Sequence, residues 1–128
     1  MPYGCDTMMN FEKDRIEKLR RTDEQHRSAA DLMIPGEASI GVYKGSDFQV
    51  TFTDRRVLIV NVRGITGKKI DVTVIPYSKV DIFSVEGHGD IGNDGALVLR
   101  VGGQDIRFEF DDGNDLVDIS SCITKSLS

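Results

Sequence analysis

Between Ala38 and Phe110 the chain switches between apolar and polar side chains again and again, and each run ends in a turn signal. Phe48-Gln49-Val50-Thr51-Phe52-Thr53 is the clearest stretch. A period of two suits a strand with one buried face, and the aromatic and β-branched residues suit a pleated surface. The same reading gives strands at 38–44, 48–53, 56–63, 69–76, 80–86, 96–101 and 105–110. Between them stand Gly45-Ser46-Asp47, Thr53-Asp54-Arg55, the stretch 64–67 and the pair Gly102-Gly103, which is a two-residue hairpin signal. The Gly- and Asp-rich run GHGDIGNDG, 87–95, reads as a loop. Seven consecutive strands with short connections predict an antiparallel meander that curls into a small barrel or sandwich.

The flanks read as helix. From Asn10 to Met33 there is no Pro or Gly, Ile16 and Leu19 stand three apart, and Glu17 precedes Arg21 by four. Thr22-Asp23-Glu24-Gln25 resembles a capping box and divides this stretch in two, and Ile34-Pro35-Gly36 ends it. At the other end Leu116, Ile119, Ile123 and Leu127 fall on one helical face, with Asn114 or Asp115 as cap. The serines lower its helix propensity, so packing must hold it. The expected fold is mainly β: a seven-stranded antiparallel barrel capped by a C-terminal helix over 34–128, with an N-terminal helical extension over 1–33.

One domain of 128 residues is long enough to bury a core. No apolar run approaches the 18 or so residues of a membrane-spanning helix. MPYGCDTMMNFEKDR lacks the basic-then-apolar pattern of a signal peptide, which points to the cytoplasm. The net charge is −5, and residues 86–118 hold nine acidic and two basic side chains. Such a surface repels phosphate backbones and anionic lipids, so nucleic acid is excluded and a membrane disfavoured as partner. Cys5 and Cys122 lie outside any CxxC and read as free thiols.

Arg63-Gly64-Ile65-Thr66-Gly67-Lys68-Lys69 has the look of a phosphate loop but fails the test. G-x-x-x-x-G-K-[ST] needs Gly at Val62 and Ser or Thr at Lys69, and a helix to follow, where this chain has a strand. Asp90 to Val101 half-matches a calcium-binding EF-hand loop, but Gly92 and Val101 stand where ligands are required. No metal or cofactor is expected. His26, His88 and Cys122 make no catalytic pair in sequence, no G-x-S-x-G occurs, and the chain reads as a non-enzyme.

Val50-Thr51-Phe52-Thr53-Asp54-Arg55-Arg56, then Arg63 to Lys69, then Ile75-Pro76-Tyr77, with Tyr43-Lys44 before and Phe83-Ser84-Val85-Glu86 after, resemble the bacterial pleckstrin-homology-like (PH-like) domain family. The likeness covers about 35–125. Val74 stands where the family has Ser, and 87–95 diverges. The resemblance implies a PH-like barrel with a C-terminal helix, and cytoplasmic proteins that assemble into symmetric homo-oligomers such as rings. Edge strands of such a barrel would carry the association. The expected role is therefore a homo-oligomeric assembly module, or one that binds a protein partner. The alternative is a weak anionic-ligand or lipid-headgroup site among Arg55, Arg56, Arg63, Lys68 and Lys69.

Overall fold

The structure, a computed structural model, describes residues 16–45, 48–63, 69–88, 90–112 and 116–127. All seven strands read from the alternation are present, joined by an eighth before them. In chain order they are β1 (Ile16–Arg21), β2 (Ser39–Lys44), β3 (Phe48–Thr53), β4 (Arg56–Arg63), β5 (Lys69–Pro76), β6 (Ile82–His88), β7 (Asp90–Val101) and β8 (Gln104–Phe110). A short helix α1 (Arg27–Leu32) follows β1, a single 3₁₀ turn (Tyr77–Lys79) links β5 to β6, and α2 (Leu116–Leu127) ends the described chain.

The strands form one curled sheet in the order β5-β4-β3-β2-β1-β8-β7-β6. Every neighbouring pair is antiparallel except β1 with β8, which is parallel. The hairpin between β7 and β8 turns at Gly102 and Gly103, with φ of 58° and 83°. Both central residues of a type I′ hairpin turn need positive φ, which glycine adopts without strain. The inner face is an apolar core with Tyr43, Phe52, Phe108 and Phe110 at its centre. Their rings meet mostly edge to face, with centroids 5.0 Å apart for Tyr43–Phe110 and 5.6 Å for Phe52–Phe108. α2 closes one end of the barrel, burying Leu116, Ile119 and Ile123 against the 3₁₀ turn, β7 and β2. Its cap positions Asn114 and Asp115, and the side chain of Leu127, lie outside the described residues.

The N-terminal helical reading is corrected over 16–21, which are strand. The cause is a bulge. The β1–β8 register slips between Ile16 and Leu19, and Lys18 sits at φ 57°. One extra residue lets side chains three apart both turn inward, so Ile16 and Leu19 enter the core with a spacing that mimics a helix. The capping box gives way as well. α1 starts at Arg27, and its cap is His26, whose Nδ1 accepts from the Ser28 N–H at 3.1 Å. Thr22 Oγ1 instead accepts from the Glu24 N–H in a local turn. Residues 10–15 lie outside the described residues.

The loop expected at 87–95 is also corrected. Gly87 pairs with Gly95 and Glu86 with Ala96, and both strands run on to His88 and Asp90. An extended ladder with no flanking helix is not an EF-hand.

Candidate functional surfaces

Thr53-Asp54-Arg55-Arg56 forms the turn between β3 and β4, and a network of bonds gathers there. The Thr53 hydroxyl accepts from the N–H groups of Arg55 and Arg56 at 3.1 and 3.0 Å. It donates to Glu37 Oε2 at 2.6 Å. Arg56 grips the same carboxylate with two nitrogens, Nε to Oε2 and Nη2 to Oε1, each at 2.9 Å. Nη2 also donates to the Leu32 carbonyl. The Glu37 side chain has no solvent exposure. The Arg56 bonds hold its carboxyl down at about 2 and raise the guanidinium in turn. Tyr77 completes the cluster: its hydroxyl donates to the Thr53 carbonyl at 2.7 Å, and its N–H to the Arg55 carbonyl. Burial pushes the phenol well above its ordinary range.

This network decides what the motif residues do. Arg56 spends its charge on Glu37. Arg55 beside it is exposed. Lys69 is exposed at the far end of β4–β5, where its register partner is Arg63. Seven residue steps along β4 put about 23 Å between the two ends. Lys68 and the side chain of Arg63 lie outside the described residues. Of the five basic residues singled out from sequence, Arg55 and Arg56 stand at one end of β4 and Lys69 beyond the other.

Two of the candidate chemical groups, Cys122 and His26, are engaged as well. Cys122 Sγ lies 3.9 Å from the Thr53 carbonyl, and burial raises its thiol pKa, which disfavours the thiolate a nucleophile needs. His26 is the α1 cap, and the side chain of His88 lies outside the described residues. Among the described residues no three His, Cys, Asp or Glu side chains are placed to share a metal ion.

Three surfaces went unseen in the sequence because β1 was read as helix and β5 had no partner context. The first is apolar. Cross-strand pairs Val62–Ile70, Val60–Val72 and Leu58–Val74 line one face of β4–β5. Ala29 and Met33 cover its middle, joining Leu58, Val60 and Val72 in a small second core. Val62, Ile70 and Val74 remain 41%, 45% and 36% exposed on the flanks. The second is a groove of about 410 Å³ lined by Lys18, Arg20, Arg21, Thr22, Lys44 and Gly45. The third, across β1 from it, is an acidic cleft of about 370 Å³ where Glu17, Asp94 and Asp111 join Glu86 and Glu109. Arg107 there bonds Glu86 and Glu109 at 2.9 and 2.8 Å.

A sheet of this curl with a C-terminal helix across its end has close counterparts. The sequence profile described as "Bacterial PH domain" matches residues 8–127. The chain belongs to the bacterial PH domain family. Among solved structures, this PH domain is similar to a DUF1696-family protein with a pleckstrin-homology domain from Shewanella loihica. That match is 26% identical with a TM-score of 0.70, covering 88% of this chain and 99% of the other. A pleckstrin homology domain from Shewanella amazonensis is 28% identical with a TM-score of 0.55, covering 79% and 83%. In sequence the domain is similar to two Bacillus subtilis proteins. "Uncharacterized protein YozO" is 28% identical over 108 residues, 84% of this chain and 92% of the relative. "Uncharacterized protein YjqA" is 34% identical over 77 residues, and there the match spans 60% of this chain and 62% of the relative. Among the described residues no helix is long and apolar enough to cross a membrane.

Proposed function

We propose that this bacterial PH domain is a non-catalytic assembly module that binds further copies of itself through β5. The observation that carries this is the state of β5. It ends the sheet, and its outward side chains Ile70 and Val74 stand exposed beside Val62. An edge strand offers unpaired backbone N–H and C=O groups, and proteins ordinarily guard it with charge, proline or a bulge. Here Lys69 and Pro76 mark the two ends, and Asp71 is the one charge between them. An apolar strip along an edge strand suits strand addition, with backbone bonds giving affinity and the side chains giving register.

The geometry of the sheet supports a second copy as occupant. Its other end is β6, where Ile82 is exposed, so the two edges are different surfaces. A β5-to-β6 contact is head to tail, and such a contact makes a closed ring when its rotation closes. Light scattering after size exclusion tests this on the full chain over a range of concentrations. The expected result is one discrete mass at a multiple of 14.2 kDa that holds on dilution. Ile70→Lys, on the exposed side of β5, should return it to the single-chain mass. A single-chain mass at every concentration would overturn the proposal.

A further inference from the structure

We propose that His26 makes α1 a pH-sensitive cover over the apolar face of β4–β5, closed at neutral pH and loosened in mild acid. The cover is small and depends on its cap. α1 has six residues, and a helix that short does not hold itself in water. Its first turn rests on His26. The His26 carbonyl accepts from the Ala29 and Ala30 N–H groups, each at 3.1 Å, and the ring Nδ1 accepts from the Ser28 N–H at 3.1 Å. A ring nitrogen that accepts carries no proton, so this contact requires the neutral imidazole with its hydrogen on Nε2. Protonation turns Nδ1 into a donor facing another donor. It also sets a cation against the positive end of the helix, where Arg27 already stands and no acidic side chain lies in the first turn. Imidazole is the side chain that ordinarily changes charge between about pH 5 and 8, so mild acid is the trigger.

The other ties of this segment do not titrate there. The Gln49 amide accepts from the His26 backbone N–H and donates to the Glu24 carbonyl at 2.8 Å, and Gln25 Nε2 donates to Thr51 Oγ1 at 3.3 Å. At the far end Arg56 donates to the Leu32 carbonyl, and the Glu37 carboxyl, held down at about 2, stays ionised. α1 therefore frays between two fixed ends. The pocket that the His26 ring lines holds one charge of each sign, Glu24 from its own segment and Lys44 from β2. β3 and β4 contribute the uncharged Phe48, Gln49 and Val62 to it, and Asp31 stands in the last turn of α1. What the cover hides is apolar. Ala29 and Met33 pack on Leu58, Val60 and Val72, and Leu58 and Val60 are no more than 1% exposed beneath them. Uncovered, they join Val62, Ile70 and Val74 in one strip of cross-strand pairs. The strip borders the β5 edge, so the cover sets how much apolar surface a second copy meets; that consequence rests on the assembly proposed above.

Nuclear magnetic resonance on the full chain between about pH 7.5 and 5.5 tests this, across the range where imidazole titrates. The Cα shifts of residues 27–32 report the helix, the two histidine rings are followed separately, and unchanged shifts in β8 show that the fold is intact. The expected result is that the helical shifts decline along the His26 ring titration, with the helix-to-coil ratio falling about fivefold, the usual effect of removing an N-cap. His26→Asn supplies a capping acceptor that takes up no proton in this range, and should keep the helix at both ends of it. His26→Ala should show the lowered ratio at both ends. The loosening should be the same in Ile70→Lys, so it reads the cover and not a contact between copies. If the parent keeps its helical shifts while the His26 ring titrates, or if His26→Asn loses them as the parent does, the proposal falls. Light scattering at the two pH values reads the consequence separately. Loosening of α1 with no change in the mass of the parent supports the cover and counts against the assembly surface alone.

Discussion

Two sites in this PH domain collect arginine side chains, and they are built on opposite principles. At the β3–β4 turn, Arg56 meets a carboxylate with no solvent exposure, and the surrounding hydroxyl, backbone and phenol groups find partners. At the β1–β2 groove, Arg20 and Lys44 face each other with the same charge. The first site is satisfied and holds the chain together. The second sets two like charges opposite each other, with Asp111 offsetting one of them at Arg20 Nε. The family's recognisable motif belongs to the first. Thr53-Asp54-Arg55-Arg56 and Ile75-Pro76-Tyr77 come together through the Tyr77 hydroxyl on the Thr53 carbonyl. These two blocks of the motif therefore act as a structural clasp.

The sharpest way to break this comparison uses two adjacent arginines. Arg56→Met leaves the Glu37 carboxylate buried without its partner, which should cost about 3–5 kcal/mol of folding stability. Arg55→Met, one residue earlier and exposed, should fall within about 0.5 kcal/mol of the parent. Denaturant titration of the two variants reads the difference directly. Equal effects would mean that the clasp contributes no more than an exposed surface charge.

Acid probes the same clasp. The Glu37 carboxyl is depressed from 4.5 to about 2 in the folded chain. A lowered carboxyl pKa stabilises the fold fully above the unfolded value, and the gain disappears as pH falls through the folded value. Stability of the parent should therefore drop by roughly 2–3 kcal/mol between about pH 4.5 and 2 from this group. Glu37→Gln should be weaker at neutral pH and show a shallower acid slope over that window. If the parent and Glu37→Gln lose stability in parallel on acidification, the carboxylate at Glu37 is not the source.

The two sites differ in how far the sequence disclosed them, for physical reasons. Alternation within Phe48–Thr53 and the Gly102-Gly103 pair are local signals, so the strands and their order could be read without tertiary knowledge. Thr53-Asp54-Arg55 was legible as a turn. Its partner was not, because Glu37 reaches Arg56 across 19 residues and nothing local announces the contact. β1 was hidden by its own bulge: Lys18 in the left-handed region places Ile16 and Leu19 in the core three residues apart, the signature of a helix. With β1 misread, Arg20 and Lys44 could not be seen as neighbours. The stretch 87–95 misled in the other direction. Its glycines and aspartates favour turns, yet the ladder with β6 holds them extended. Gly95 shows why small residues sit there. A Cβ on it would lie 2.6 Å from the Glu86 carbonyl and 2.9 Å from Leu116 Cδ1, so the strand passes under α2 only without one.

The smallest effect separates the two principles most cleanly. Lys44→Glu replaces the like-charged Arg20–Lys44 pair with an opposite one. On stability alone the variant should gain about 0.2–1 kcal/mol, the ordinary worth of a cross-strand charge pair, and the gain should shrink with added salt. At the clasp, by contrast, reversing a charge can only destabilise, because Glu37 has no solvent to turn to. Denaturant midpoints at low and high salt measure this. A rise for Lys44→Glu at low salt would show that Arg20 and Lys44 repel across the pair. A fall would show that Lys44 already has a stabilising partner on the protein, and the groove would then join the clasp as structure.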